Sequence, residues 1–528
     1  MKINSTYDYI IIGSGFGGAV SALRLTEKGY KVLVIEKGKW FKDEDFPKTN
    51  WNLRKWLWMP SMKLFGIQKI TFFRHLTILS GVGVGGGSLV YANTLPKPKT
   101  AFYKSGSWRK LAEWENELTD HFETAYKMLG AAINPYMGTS DTAFQQLAKE
   151  IGKQDSFETT KVAVYFGEKD QTVDDPYFEG KGPNRTSCSY CGSCMTGCRN
   201  NAKNTLDKNY LHLAQQLGAT ILSENEVIDV LPTTEGYQVS FKSATTYFSK
   251  TKTVASKGII FSGGVLGTIP LLLKLKKSSL PKLSNMVGAD IRSNNEALIG
   301  NITFNKDMDM SDGIAIGSII ELDENSHIEP VRYGHGSGFW KILMAPMISE
   351  KNIIKRLGKL LIFPFLNPIR SFKMMFTDDF AKRASIILFM QHLDSTLNLK
   401  QNIFGGLKTQ IEKGKAPTAF IPEAHSIANK YSKIINGESM VLATETISGI
   451  PSTAHILGGA VMGEDINQGV INKDNKVFGY ENMYICDGSM ISANPGVNPS
   501  LSITAISELA MSKIPHKSRD LVKPQISQ

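Results

Sequence analysis

No stretch of the 528 residues stays apolar for the roughly twenty positions that a bilayer-spanning helix needs, so a spanning protein is excluded as a first reading. No charged and apolar leader precedes the first strand pattern, which begins near Tyr7, and the expected location is cytoplasmic. No polybasic block or RNA-binding signature accompanies the net charge of +11, so the excess suits attraction to anionic surfaces, membranes before nucleic acid. No internal repeat or low-complexity tract is present, which sets aside a repeat architecture. Cysteine is scarce at five residues, and four of them fall within eleven positions. That clustering is unlike a disulfide framework and indicates a local site in a reducing compartment.

What is present begins at Tyr7. A short apolar run, 9–12, stops at Gly13-x-Gly15-x-x-Gly18, a helical pattern follows, and a second apolar run, 32–35, ends in Glu36. Strand, glycine turn, helix and strand make a βαβ unit for a dinucleotide. Gly13 permits the tight turn, Gly15 admits the pyrophosphate, and Gly18 lets helix and strand close together. Glu36 stands where a carboxylate accepts from a ribose hydroxyl. The unit alone does not choose between NAD and FAD.

Residues 51–79 are aromatic and basic, which suits a loop packed over this unit or an entrance lid for an apolar substrate. The run GVGVGGGSLV from Gly81 lets backbone approach a flat ligand, and its ordered continuation argues against a mobile linker. Helices are expected over 108–129, 142–151 and 202–217, and a strand over 220–228. A meander is expected over 238–255. The glycine-flanked run 258–267 then leads into a helix over 269–275. Residues 300–420 read as strand-rich, apart from an insert at 339–376 that mixes large apolar side chains with Lys and Arg. That insert fits a core helix with a solvated basic face or a membrane-surface helix. A final helix is expected over 502–511, with the chain fraying from Pro515.

The block Cys188-x-x-Cys191-x-x-Cys194-x-x-x-Cys198 has the spacing of a ferredoxin-type cluster, without the usual proline after the fourth cysteine. An iron–sulfur cluster, a zinc ion and reduced thiols in a turn are the three readings.

The fingerprint, the GVGVGGGSLVYAN stretch and the C-terminal runs HILGGAVMG (from His455), NMYICDGS (from Asn482) and NPGVNPS (from Asn494) together resemble the glucose–methanol–choline (GMC) flavin oxidoreductases, and within them the bacterial cholesterol oxidases. The resemblance implies a mixed α/β fold, in which a Rossmann-like FAD-binding domain is interleaved with a substrate domain on a large antiparallel sheet. The implied FAD domain is discontinuous, at 1–98, 202–300 and 464–516. The implied substrate domain takes 99–201 and 301–463, with a tail at 517–528.

For the cofactor, the resemblance implies contacts from Gly13, Gly15, Phe16, Gly17 and Gly18 at the pyrophosphate and from Glu36 and Val227 at the adenosine. Gly81, Gly85, Gly86, Ser88 and Asn93 would run along the flavin, with Gly263, Asp487, Gly488, Asn498 and Pro499 beside its ring. His75 precedes the glycine run, where fungal relatives carry a covalent flavin link, but the motif around it is absent here.

Alcohol oxidation needs a group that takes the hydroxyl proton while a hydride leaves for the flavin. Histidine suits this, and an amide beside it orients the hydroxyl without a competing charge. His455 and Asn498 match the family pair, although Ile456 stands where proline is common. Glu329 is the candidate proton carrier for steroid isomerisation, the alternative being an ion pair with Arg332. The expected function is oxidation of a sterol's secondary hydroxyl. The alternatives are a long-chain alcohol dehydrogenase passing electrons through the cysteine block and an inactive flavin-containing lipid-binding protein at a membrane surface.

Overall fold

A computed structural model of the chain describes residues 6–402, 405–411 and 416–518. The apolar runs flanking the fingerprint become adjacent parallel strands, Thr6–Ile12 and Val32–Ile35, with Ile10 opposite Leu33. They are buried on both faces, as continuous apolar runs in parallel sheets are. The sheet they anchor runs in the order Thr220–Leu222, Val32–Ile35, Thr6–Ile12, Lys252–Phe261, Gly236–Ser243, Asn225–Thr233, and Met483–Ile485 adds parallel to Lys252–Phe261. The helix Phe16–Glu27 starts at Gly15 with no side-chain cap and no acid in its first turn, so its N-terminal N–H groups remain for an anion.

A second sheet is antiparallel throughout, in the order Met344–Pro346, Gly437–Leu442, Ala297–Thr303, Ala384–Gln391, Ser326–Val331, Ser318–Glu321, Phe157–Thr159. Side chains alternate across it. Ala297, Ile299, Ile387 and Phe389 pack with Phe144 and Leu147 of helix Thr139–Glu150 and with Ala428 and Tyr431 of helix Pro422–Ile434. Their neighbours Leu298, Ile386 and Leu388 point the other way, into a cavity shared with the first sheet. The expected mixed fold, a Rossmann-like sheet interleaved with a large antiparallel one, is the fold observed.

Several local expectations change. The helix read over 108–129 is two shorter helices, Trp114–Glu117 and Thr119–Met128, preceded by a turn across which the Trp114 indole donates to the Trp108 carbonyl at 2.8 Å. Of 202–217 only Tyr210–Gln216 is α-helical. Before it, 202–205 is kept out of helix by the buried Lys203, whose ammonium donates to the carbonyls of Leu89, Tyr91 and Cys194, and Leu206–Lys208 is a single 3-10 turn. The strand over 220–228 is two strands, and residues 252–261 form one long strand. Arg332 does not pair with Glu329. It meets Asp141 at 2.7 Å, both side chains fully buried, which ties helix Thr139–Glu150 to the antiparallel sheet. Lys517 reaches Asp8 at 2.6 Å, so the chain is tied down beyond Pro515, and the remainder of the expected tail, 519–528, lies outside the described residues.

The insert 339–376 opens with the turn Phe339–Leu343, where Trp340 is buried, and the strand Met344–Pro346, and continues as a pair of helices, Ile353–Leu366 and Pro368–Met375, joined at Asn367; the core or surface question falls on these helices. They bury Arg356, Met374 and part of Phe363 and expose most of their large apolar side chains, so the core reading fails. The segment 51–79 is packed: Trp56 and Trp58 are buried, and strands Gln68–Phe72 and Thr77–Gly81 pair. Among the described residues no helix is long and apolar enough to cross a membrane.

Candidate functional site

A cavity of about 660 Å³ lies between the two sheets. From the first sheet come Gly13, Gly15, Phe16, Glu36, Val227 and Gly263, from the glycine run Gly81 and Gly86, and from the C-terminal loops His455, Asp487, Gly488, Asn498 and Pro499. The far wall is apolar, formed by Leu298, Val331, Ile386, Leu388, Met344 and Leu442 of the antiparallel sheet with Trp340.

The fingerprint turn leaves no room for side chains. A Cβ at Gly13, where φ is +102°, would lie 2.4 Å from the Ser262 carbonyl oxygen. A Cβ at Gly86 would lie 2.7 Å from Gly15 Cα, so the two glycine runs touch along one edge of the cavity. Glu36 accepts from Ser14 N at 3.0 Å, Ser14 Oγ at 2.8 Å and Gly38 N at 2.8 Å, which fixes its carboxylate at the cavity wall. Glycine cradle, uncapped helix terminus and fixed carboxylate together fit an extended dinucleotide. Lys37, Lys69 and Lys242 also line this space, and burial pushes the Lys69 ammonium down to about 8.

Five residues expected against the cofactor do not line the cavity: Gly17, Gly18, Gly85, Ser88 and Asn93. Gly17 and Gly18 instead permit backbone contact, with added Cβ atoms falling 1.8 Å from the Cys486 oxygen and 2.2 Å from the Gly13 oxygen. Ser88 ties the glycine run together, donating to Gly85 O at 2.7 Å and accepting from Leu206 N at 3.1 Å. Gly85 takes a φ of +100°. Asn93 is fully buried at a φ of +70°, and neither polar atom of its side chain finds a partner. His75 also lies off the cavity, bonded to Thr409 Oγ1 at 2.8 Å.

Asp487 has both oxygens committed. Oδ1 accepts from Ser489 N and Oγ, and Oδ2 from Gly264 N and Thr268 Oγ1, so it locks two loops beside the cavity. Burial raises its pKa.

His455 sits on a loop held by backbone hydrogen bonds on two sides. Leu457 exchanges backbone hydrogen bonds with Arg292, and Gly458 N donates to Gly488 O at 2.9 Å. The ring is held by a residue the sequence gives no cue to find. Glu296, whose side chain is fully buried, accepts from His455 Nδ1 at 2.5 Å and from Ala454 N at 2.5 Å. A carboxylate only accepts, so Nδ1 carries the proton and Nε2 is the ring's acceptor. The two residues are 159 apart in the chain, too far for any local pattern to pair them.

Glu329 is fully buried and does not line the cavity. Burial pushes its pKa up to about 8, and neither carboxyl oxygen has a hydrogen-bond partner among the described residues. His327 lies 3.8 Å away, and burial lowers its pKa to about 3, so both are neutral at pH 7 and form no ion pair. Asn498 Oδ1 is buried without a partner.

The four cysteines of the block line one small pocket beside Lys203 and Gly313. Among the described residues no group of three or more His, Cys, Asp or Glu side chains could hold a metal ion. Cys188 Sγ instead accepts from Tyr190 N at 3.4 Å, Cys191 is exposed, and burial pushes the Cys194 thiol up to about 11.

Models of the family described as GMC oxidoreductase match residues 7–294 and 389–507. A cholesterol oxidase of Acinetobacter baumannii is 44% identical, over 98% of this chain and 96% of its own length. One of Mycobacterium tuberculosis is 40% identical, over 97% and 91%. The solved structure of pyridoxine 4-oxidase from Mesorbium loti shares the fold at a TM-score of 0.61 and 14% identity, over 97% of this chain and 100% of that one. The chain belongs to the GMC oxidoreductase family of FAD-dependent enzymes acting on CH–OH groups.

Proposed function

We propose that this enzyme oxidises the secondary hydroxyl of a sterol to a ketone. The observation that carries the proposal is the cavity itself, in which His455 and Asn498 share one space with a broad wall of aliphatic and aromatic side chains. The near full-length identity to two cholesterol oxidases supports the substrate class. Bound FAD supplies the hydride acceptor. His455, steadied through Nδ1 by Glu296, accepts the hydroxyl proton at Nε2. Asn498 orients the hydroxyl, and the apolar wall seats the ring system and keeps water out.

Glu329 does not reach the cavity, and neither of its carboxyl oxygens has a hydrogen-bond partner among the described residues. The proton transfer of steroid isomerisation is therefore no part of the proposal. The FAD-binding part takes in 1–98, 202–300 and 464–516 and the substrate part 99–201 and 301–463, with the shared strand Ala297–Thr303 pairing into the antiparallel sheet. A sterol resides in lipid, so the enzyme works from the aqueous side against a membrane surface, with oxygen as electron acceptor. The cysteine block carries no cluster in this reading.

The test is anaerobic bleaching of the flavin absorption band by cholesterol and, separately, by a long-chain primary alcohol, followed by admission of air. Bleaching by the sterol alone, with recovery and peroxide in air, is the expected result. Bleaching by the long-chain alcohol alone would overturn the sterol reading. Bleaching that air fails to reverse would overturn oxygen as acceptor.

A further inference from the structure

The helix pair Ile353–Leu366 and Pro368–Met375 concentrates exposed apolar surface. Ten of the 24 exposed large hydrophobic side chains among the described residues lie between Ile353 and Phe376. On the first helix Ile354, Leu361 and Phe365 recur at i, i+7 and i+11 and are 79%, 72% and 84% exposed. Ile369, Phe372 and Phe376 continue the surface at i, i+3 and i+7. Isolated exposed apolar residues are ordinary, but a contiguous group of this size marks a surface that meets something apolar.

The pair is anchored so that this face stays outward. The buried Arg356 guanidinium donates to the carbonyls of Thr446, Glu350 and Lys351 and lies over the Phe420 ring. Phe363 packs on the inner side into the cluster of Trp340, Met344 and Leu442, residues that also line the cavity. The inner side of the pair therefore packs against the cluster that forms part of the cavity's apolar wall.

Charge selects the occupant. Residues 351–375 contain six Lys and Arg and no Asp or Glu; Arg356 is buried, Lys359 pairs with Glu350 and Arg370 with Glu438, so the positive excess is carried chiefly by Lys351, Lys355 and Lys373. A second copy docking face to face would bring like charges together, as any two-fold contact sets a patch against itself. An anionic lipid surface accepts both features at once, the basic side chains at the headgroups and the apolar ones below them. At 14 residues the first helix is about 21 Å long, short of the ~30 Å hydrocarbon core, so it lies in the interface without crossing it.

We propose that the 353–376 helix pair docks this enzyme on anionic bilayers and presents the cavity to the lipid phase. The delivery of substrate through this face rests on the sterol reading, while the docking does not.

The test is flotation of the flavin-loaded, full-length protein with sterol-free vesicles of phosphatidylcholine, alone or mixed with phosphatidylglycerol. Two variants accompany it, K351Q/K355Q/K373Q and F365S/F372S. The protein is expected to float with the mixed vesicles and to be released by high salt. The triple charge variant should bind about a hundredfold more weakly, since each cation at a lipid surface contributes about fivefold. The Phe365→Ser, Phe372→Ser variant should lose flotation while keeping its flavin absorbance and its turnover of cyclodextrin-delivered sterol.

Failure of the parent protein to float, equal flotation with neutral vesicles, or undiminished binding by both variants would overturn the proposal. So would a solution dimer that the serine variant abolishes. Flotation without sterol bleaching would leave the docking standing and remove the sterol reading, and bleaching without flotation would do the reverse.

Discussion

His455 depends on a residue it does not share a motif with. Glu296 lies at the start of a strand in the antiparallel sheet, just before Ala297, and binds both the His455 ring and the amide of Ala454. Replacing it with glutamine removes the fixed charge that selects the Nδ1–H tautomer, because an amide can present either a donor or an acceptor. Glu296→Gln should lower kcat by about two orders of magnitude, the scale of a displaced general base, with KM nearly unchanged. Retained flavin absorbance separates this from unfolding, and an unchanged kcat would remove Glu296 from the site.

Glu329 carries a different signature. In the folded enzyme it stays protonated to about pH 8, against about 4.5 in the unfolded chain. Between those values the native state holds a proton that the unfolded chain has released, so stability falls as pH rises through that window. Glu329→Gln removes the titration. Relative to the variant, the parent should lose up to about 4 kcal/mol between pH 5 and 8, read as a steeper decline of melting temperature. Glu445, pushed to about 8 by burial, titrates in the same direction and leaves part of the slope in the variant. Parallel melting curves for the two proteins would show that Glu329 is not held neutral.

At the scale of elements, the sequence was most readable where one local rule dominates. The βαβ unit follows from apolar periodicity and three glycines, and it forms with strands Thr6–Ile12 and Val32–Ile35 in place. The C-terminal loops were readable because motif and site coincide: His455, Asp487, Gly488, Asn498 and Pro499 all reach the cavity. Legibility failed where a tertiary contact overrides local preference. Residues 202–217 carry helical spacing, yet Lys203 is pulled into three carbonyl contacts from other segments, and the helix waits until Tyr210. At the cysteine block spacing marks the place but not the geometry: the four side chains line one small pocket, yet among the described residues no three of them stand where they could hold a metal ion. At 339–376 composition allowed two readings, and only burial separated them, since a core helix and a surface helix share the same periodicity.

At the scale of the molecule, the chain crosses between the two sheets repeatedly. Strands from 6–35, 220–261 and 483–485 build one sheet, and strands from 157–159, 297–391 and 437–442 build the other. Neither half is a continuous segment, so the cavity between them is a junction that the cofactor can consolidate. A ligand that binds only the native state stabilises it by an amount that grows with its free concentration, about 2.7 kcal/mol at a hundredfold excess over Kd. Stripping FAD should therefore lower the melting temperature, and added FAD should restore it with a logarithmic dependence on concentration. FMN lacks the adenosine half that would reach Glu36 and Val227, so at equal concentration it should restore less. If the stripped and loaded proteins melted together, the cofactor would be held by one sheet's loops alone and the junction would owe its stability to packing.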